Sequence, residues 1–310
     1  MTVITGVGTA IGGVARPADL LLTTTTPGGE DPITGLSGRG LRYKDRATKL
    51  ALCAGRDALT DAGLLLDPGL AVPGESIGVV VSSNFGNVDT VCATVSTIAE
   101  HGYGATSPMM LPATASNVTA SWLAISFGLR GVNLTLCNGP TSGLDAVYWA
   151  GMMIDAGRAR RMLVVGVEPV NEVVTHLVGP LFDGAAALVL ESEEAARERG
   201  AGSLARLGRY ARRETHDEAV GHVLEQAGPV GLWCLPEQPP TTEETAGAAT
   251  HDLTALLGRC SGALGVVQCV AGASWLSAGG DGAVLASVNA SDAAAATVLT
   301  PAPTTAGTGR

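Results

Sequence analysis

Residues 134–170 read LTLCNGPTSGLDAVYWAGMMIDAGRARRMLVVGVEPV, and this stretch decides the fold. Two short runs, Leu134–Leu136 and Met162–Val167, predict strands because they are apolar or β-branched and too short to be buried helices. Between them, Thr141–Ile154 predicts a helix whose small residues would allow close packing. A strand, a helix and a second strand in succession are typical of layered α/β proteins.

The same alternation continues on both sides of this stretch. Further strands are predicted at 3–7, 76–82, 185–190, 205–208, 230–235, 284–288 and 296–299, and helices at 45–64, 192–200, 215–227 and 254–274. The repetition predicts two similar halves, 1–202 and 203–300, followed by a flexible tail at 301–310. Loops are predicted at 23–40 and 236–252, which are rich in Thr with Gly, Pro or Glu.

Composition indicates a large core and a covered surface. The chain has 310 residues, of which 46% are hydrophobic and only 15% are charged, and its mean hydropathy is +0.28. Such values suit a protein that hides surface in a core or against another subunit. The formal net charge of −10 and the lack of a Lys/Arg cluster argue against nucleic acid or an anionic membrane as a partner.

Cysteine usage favours neither a metal site nor a disulfide framework. The six cysteines include no CxxC pair; they are Cys53, Cys92, Cys137, Cys234, Cys260 and Cys269. The N-terminal residues MTVITGVGTAIGG lack the charged and apolar regions of a secretion signal, and no run of about 18 apolar residues occurs. We therefore expect a cytoplasmic protein without metal or other cofactor.

Several segments in a fixed order carry a resemblance to a known family. SPMMLPATASNVTASWLAISFGLRGVNLTL, residues 107–136, followed by residues 141–170, resembles the central portion of β-ketoacyl-acyl-carrier-protein synthases. Residues 44–64, 182–201 and 261–276 resemble further pieces of the same enzymes. The resemblance implies a thiolase-like αβαβα layered sandwich of two related halves, with the second half shortened. It also implies dimerisation through the Leu134–Leu136 strand and the preceding helix.

The resemblance places a proline at the position of the family's nucleophile. In these enzymes a cysteine begins the helix after a sharp elbow and is followed by (Ser/Thr)-(Ser/Thr)-Gly. Here Thr141, Ser142 and Gly143 follow Pro140. Proline has no thiol and no N–H for an oxyanion hole, although it suits the first turn of a helix. The elbow can therefore persist without its chemistry.

The two histidines that the family uses in decarboxylation are also missing. The corresponding segments here, 231–237 and 256–262, contain none, and the family's Gly-Phe-Gly-Gly gate is replaced by VNASD at 288–292. The histidines of the chain are His101, His176, His216, His222 and His251. His251 alone is near either segment, and we interpret it as a solvated loop histidine.

The matching role in the family is the chain-length factor, or ketosynthase β subunit, of type II polyketide synthases. Such a subunit pairs with a catalytic ketosynthase, stabilises it and shapes the acyl-chain tunnel, while the acyl carrier protein binds mainly through the ketosynthase. The compact size suggests reduced or polyene chains. We expect the helix 114–127 at the interface, with tunnel or interface residues Thr114, Ser116, Thr119, Ala120, Trp122 and Phe127; ordinary packing within the subunit is the alternative for each.

Two other functions are compatible with the sequence. An active acyltransferase or decarboxylase would use Cys137 as a displaced nucleophile, with or without His251. Cys137 would then lie on the strand, roughly 10 Å from the elbow at about 3.3 Å per residue. We interpret Cys137 instead as a buried structural cysteine on an interior strand. The second alternative is a stand-alone acyl-binding protein that keeps the tunnel without a partner.

Overall fold

The structure is a computed structural model that describes residues 1–22, 29–238 and 247–302. Parts of the predicted loops, 23–28 and 239–246, and most of the predicted tail, 303–310, lie outside the described residues. The strands are β1 (Thr2–Ile11), β2 (Leu65–Leu66), β3 (Gly69–Leu70), β4 (Ile77–Ser82), β5 (Asn133–Leu136), β6 (Arg161–Glu168), β7 (Gly184–Ser192), β8 (Ala205–Arg213), β9 (Val230–Cys234), β10 (Ala249–His251), β11 (Ala283–Asn289) and β12 (Ala294–Pro301).

The helices alternate with these strands, as the sequence predicts. They are α1 (Arg46–Asp61), α2 (Val88–His101), α3 (Val118–Phe127), α4 (Ser142–Asp155), α5 (Glu172–Val178), α6 (Glu193–Glu198), α7 (His216–Leu224), α8 (Leu253–Leu257) and α9 (Leu264–Ser277). Within the described ranges, none of these helices is long and apolar enough to cross a membrane.

The strand order shows two related halves. The strands run β5-β4-β6-β7-β1 in the first half and β10-β9-β11-β12-β8 in the second. Counted along the chain, the third strand of each half-sheet is at its outer edge, as β5 and β10 are. The first strand, β1 or β8, lies at the opposite side. The halves join where β1 and β8 pair antiparallel, at Val3 with Arg206 and Ile4 with Ala205. The predicted mixed α/β fold is confirmed; the division at residues 202 and 203 stays a prediction.

Three hydrophobic cores separate five layers. One core lies between the two half-sheets and is built around α4 and α9. A second lies between α1, α3 and the outer face of the first half-sheet, and a third between α7 and the outer face of the second. Both central helices are rich in small residues, which lets them pack on sheets from both sides. The layers therefore follow the order αβαβα.

Several predicted boundaries are wrong for local reasons. The predicted helix 114–127 begins only at Val118, because Leu111–Thr114 forms a separate 3-10 turn. The predicted helix 254–274 is two helices: α8 ends at Leu257, before Gly258, whose φ of +81° does not continue an α-helix, and α9 begins at Leu264.

Other elements are absent from the sequence prediction. Helices α2 and α5 were assigned to no element, and β10 lies inside the predicted exposed loop 236–252. β10 forms because it pairs in parallel with β9, a contact distant in sequence. α5 and β10 are too short to carry a periodicity that separates them from loops by sequence alone, whereas α2 does have apolar residues at helical spacing.

Candidate functional site

The elbow, residues 138–143, leads from β5 into α4. Gly139 has φ of +80°, a conformation that glycine adopts without strain, and it lets the chain reverse sharply after β5. Pro140 follows inside a 3-10 turn, Gly139–Thr141, that leads directly into α4. The sharp turn and the proline in the first helical turn are as the sequence predicts.

Polar side chains of the elbow bond to one another and to α4. The Ser142 hydroxyl donates to Asn138 Oδ1 and accepts from the Asn138 backbone N–H, both at 2.7 Å. The buried carboxylate of Asp145 accepts hydrogen bonds from Asn138 Nδ2 and from the Thr141 hydroxyl, the latter at 2.9 Å. Thr141 and Ser142 are almost fully buried, so neither hydroxyl is open to a substrate.

A buried glutamate lies beside the elbow. Glu168, the last residue of β6, is fully buried and accepts backbone N–H bonds from Asn84 at 2.9 Å, Phe85 at 3.1 Å and Gly262 at 3.2 Å. Burial raises the pKa of Glu168 to about 7, although these hydrogen bonds act in the opposite direction. Sequence reasoning missed this residue, because only the fold brings β4, β6 and the start of α9 together.

The resemblance would place histidines in segments 231–237 and 256–262. These segments contact each other instead through the Glu237 carboxylate. Glu237 accepts the backbone N–H of Ser261 at 2.5 Å and lies 3.9 Å from Arg259 Nε. Arg259 also donates to the Val178 carbonyl at 3.0 Å. Neither side chain offers the neutral imidazole that would bond to a thioester carbonyl.

His251 does not join Cys137 in a catalytic pair. It lies half-buried on β10 and its Nε2 is 2.7 Å from the Leu20 carbonyl oxygen. The interpretation as a solvated loop histidine is wrong, since strand pairing holds this residue. The Cys137 Sγ contacts the Asn84 carbonyl oxygen instead, at 3.7 Å.

Cys137 is exposed, and the expectation of a buried cysteine inside a strand is wrong. β5 ends at Leu136, one residue earlier, and the Cys137 Sγ lies 3.7 Å from the Asn84 carbonyl oxygen. Partial burial, followed by the nearby Glu168 charge, raises the pKa of Cys137 above that of an ordinary thiol. These surroundings oppose thiolate formation, which nucleophilic cysteines require.

The predicted tunnel residues fall into two groups. Thr119 and Ala120 are buried in the subunit, with the Thr119 hydroxyl 3.2 Å from that of Thr48 on α1. For these two, packing within the subunit replaces the expected tunnel role, because a side chain without exposed surface cannot face a partner. The half-buried Phe127 packs on the same core.

The other three residues lie nearer the surface. Ser116 is exposed and Thr114 is half-buried, with its hydroxyl bonded to the Leu111 carbonyl at 2.8 Å. Trp122 lies under a cation, the Lys44 Nζ being 3.3 Å from its ring centre. Thr114 and Ser116 therefore remain available for contacts outside the subunit.

Helices α2 and α4 both expose apolar side chains. None of the residues of α2 is buried, and Val95 and Ile98 are 59% and 42% exposed. On α4, three large side chains are exposed: Tyr148, Trp149 and Met152. Sequence reasoning missed α2, although Val88, Val91, Val95 and Ile98 recur at helical spacing. A helix with this composition and no buried residue lacks a covering surface.

No group of three or more potential metal ligands occurs in the described residues. An open groove of about 360 Å³ does lie between α2 and residues 105–111. It is lined mainly by small, hydroxyl and apolar side chains, among them Thr90, Ala93, Thr94, Met110 and Leu111. Such a lining suits an elongated, weakly polar group.

Known proteins resemble the chain in part. It matches 3-oxoacyl-[acyl-carrier-protein] synthase 2 of Vibrio harveyi with 32% identity over 159 residues, 51% of this chain and 37% of the relative. It matches the granaticin polyketide putative β-ketoacyl synthase 1 of Streptomyces violaceoruber with 31% identity over 212 residues, 58% of this chain and 50% of the relative. These alignments span half or less of each relative's length.

Solved structures share the fold over almost the whole chain. One is a type II polyketide synthase acyl-carrier protein in complex with its ketosynthase, with a TM-score of 0.84, 18% identity and coverage of 97% of this chain and 99% of that one. Another is the ishigamide ketosynthase/chain length factor, with a TM-score of 0.76, 22% identity and the same coverage. Identities this low establish the fold alone.

Residues 29–181 match the family model described as the β-ketoacyl synthase, N-terminal domain. This segment contains α1 to α5 and the elbow. Over this segment the chain is similar to the N-terminal domain of β-ketoacyl synthases.

Proposed function

We propose that this chain is a non-condensing, ketosynthase-like subunit of the chain-length-factor type, which pairs with a catalytic ketosynthase in type II polyketide biosynthesis. One observation carries the proposal. The elbow that leads into α4 is intact, but it presents Pro140, and Glu237 and Arg259 lie in the segments where the family's histidines would be. Condensation needs a thiolate and groups that polarise the extender thioester. Without them, the retained fold would serve to bind a partner subunit.

The uncovered surface supports a partner. Among the described residues, β5 is an edge strand paired with β4 alone, and its other edge can accept a strand from another subunit. The apolar side chains of α2 would be covered by the same partner, since obligate interfaces are apolar at their centre. Ketosynthase/chain length factor pairs occur among the proteins that share this fold.

Within such a pair the chain would stabilise the ketosynthase and shape its acyl tunnel. The groove beside α2 lies next to the exposed apolar face, and its hydroxyl and methyl groups suit an acyl chain, including reduced or polyene chains. Thr114 and Ser116 remain the predicted contacts nearest to this region. The acyl carrier protein would bind mainly through the ketosynthase, in the cytoplasm.

Coexpression with a type II ketosynthase from the same genome tests the proposal. We expect the two chains to copurify as a heterodimer in size exclusion, and the ketosynthase to lose solubility and chain-length selectivity when it is produced alone. A ketosynthase that is equally soluble, active and selective without this chain would overturn the proposal.

A surface variant sharpens the experiment. Val95→Asp places a charge on the exposed apolar face of α2, and we expect it to reduce copurified ketosynthase at least tenfold without lowering the Tm of the isolated chain. Leu66→Asp is the matched control, because Leu66 is equally exposed, at 56%, on the separate β2–β3 hairpin. Equal loss in both variants would indicate a nonspecific effect of charge and contradict an interface at α2.

One observation bears on the acyltransferase or decarboxylase alternative. Cys137 is exposed, which a nucleophile requires, but its surroundings raise its pKa and His251 is bonded elsewhere. A stand-alone acyl-binding protein would instead behave as a monomer or homodimer and bind an acyl chain without a ketosynthase. Size exclusion of the isolated chain, with and without the ketosynthase, separates these outcomes.

A further inference from the structure

Asn84 lies where the two halves of the molecule meet at the elbow. Its side-chain oxygen accepts a hydrogen bond from the Gly139 N–H at 3.2 Å, and it shares the one hydrogen of the Ser142 hydroxyl, at 3.3 Å, with Asn138 Oδ1 at 2.7 Å. Its Nδ2 donates to the Ser261 hydroxyl at 2.9 Å. Gly139 and Ser142 belong to the first half and Ser261 to the second, so one side chain is bonded to both.

The position of Asn84 is tightly determined. Its backbone N–H is held by Glu168, and its Nδ2 would lie 2.9 Å from a Cβ placed on Gly262. The Ser82 hydroxyl, two residues earlier, donates to the Gly262 carbonyl at 2.6 Å. The loop after β4 is therefore packed directly on the entry to α9, without space for a larger residue at 262.

Ser261 is held in a strained conformation at this contact. Among the described residues it is the one non-glycine with positive φ, at +47°. The left-handed backbone conformation is energetically unfavourable for a residue that has a Cβ. It persists where the surrounding structure holds the residue in place. Here Glu237 holds the Ser261 N–H and Asn84 holds its hydroxyl.

A second bond between the halves lies on the other side of the elbow. The Tyr210 hydroxyl, on β8, donates to Asp145 on α4, and the Tyr210 ring stacks on Tyr148 with centres 4.4 Å apart. Asp145 is bonded in turn to Asn138. The bonds form one chain that runs, in order, through Tyr210, Asp145, Asn138, Ser142, Asn84 and Ser261.

We infer that the elbow of this protein serves as a hydrogen-bonded brace between its two halves, with Asn84 as the residue that positions it. Asp145, Ser142 and Ser261 are buried, whereas Asn138 is exposed. A polar network in which each member has a partner makes an arrangement rigid and specific. This series of hydrogen bonds begins at Tyr210 and ends at Ser261, both in the second half, and passes between them through the elbow of the first half. The brace concerns the isolated chain, so it does not depend on a ketosynthase partner.

A double-mutant cycle on thermal unfolding tests the brace. Asn84→Ala and Ser261→Ala each remove one partner of the bond between the halves, and alanine at 261 keeps the same demand on φ. We expect each variant to lower the Tm by about 2–4 °C, and the double variant to lower it little more than the larger single effect. Additive shifts would overturn the coupling between the two residues.

Thr5→Val is the control for this cycle. The Thr5 hydroxyl donates to Glu191 at 2.7 Å in a buried contact, and Glu191 bonds Arg161 at the start of β6. Seven residue steps along β6, roughly 23 Å at about 3.3 Å per residue, separate Arg161 from Glu168. Thr5→Val combined with Asn84→Ala should therefore give additive shifts.

Hydrogen exchange gives a second, local measurement. The Gly139 amide is bonded to Asn84, so we expect Asn84→Ala to raise its exchange rate at least tenfold while the amides of α1 keep theirs. If Asn84→Ala does not fold, Ser261→Ala decides the matter, because it frees Asn84 Nδ2 and should raise Gly139 exchange severalfold. Unchanged exchange at Gly139 in a folded variant would show that Asn84 does not position the elbow.

Discussion

Gly143 and Gly265 lie in direct backbone contact where the first turns of α4 and α9 meet. A Cβ on Gly143 would be 2.8 Å from the Gly265 nitrogen, and one on Gly265 would be 2.4 Å from the Leu144 nitrogen. The opposing atoms belong to the main chain of a buried helix, so no side-chain rotation can move them away. Only residues without a Cβ allow the two central helices to approach this closely.

Gly143→Ala should therefore destabilise the fold by about 1–3 kcal/mol, because it forces the central helices apart. The free energy of unfolding in denaturant measures the effect. Gly221→Ala is the matched control, since Gly221 lies in α7 with nothing within 4 Å of an added Cβ. Alanine there should stabilise by about 0.4–1 kcal/mol, as in other helices. Equal effects at both sites would contradict the close contact.

Glu168 should make stability fall as pH rises toward neutrality. Its pKa is raised from 4.5 to about 7 in the fold, so between these values the folded protein keeps a proton that the unfolded chain has released. Unfolding then releases that proton, and raising the pH through this window destabilises the fold by up to about 3 kcal/mol. Unfolding free energies at pH 5 and pH 7.5 measure this.

Glu168→Gln supplies the comparison for that pH dependence. The amide cannot titrate, so the difference between wild type and variant should change across the window even though the variant is less stable overall. A constant difference from pH 5 to pH 7.5 would show that Glu168 has an ordinary pKa and is ionised throughout.

Cys137 should react slowly with iodoacetamide at pH 7, although it is exposed. Its raised pKa leaves less thiolate than in a free cysteine peptide, and the thiolate is the reactive form. Mass spectrometry of the labelled peptide, with Cys137→Ser as the control, gives the rate. Alkylation faster than that of the free peptide would favour the enzymatic alternative.

Pro140→Cys should not create a condensing enzyme. The variant restores a thiol at the elbow, but Glu237 and Arg259 still lie where imidazoles are needed, so decarboxylation of an extender has no catalyst. The assay is elongation of an acyl thioester by the purified variant alone. Turnover above that of the wild type would contradict the proposed inert scaffold.

Ser116→Phe should shorten the polyketide made by the complex, if the proposed pairing holds, because Ser116 is exposed and a larger ring fills space outside the subunit. Ala120→Phe should instead destabilise the isolated chain by about 1–3 kcal/mol, since Ala120 is fully buried. Product analysis and unfolding measurements separate the two effects. Unchanged product length in Ser116→Phe would remove this residue from the tunnel.

Sequence alone determined the fold class, the order of most strands and helices, and the proline at the elbow. These features are local: the apolar runs of β4, β6 and β7 and the small residues of α4 lie within single segments, and their spacing shows in the chain itself. Only the tertiary structure decided that Ala120 is buried, that Cys137 is exposed, and that Asn84, Glu168 and Ser261 meet at the elbow. Contacts between residues that lie 84 to 177 positions apart depend on how the sheets stack, and this stacking leaves no periodic trace in the sequence.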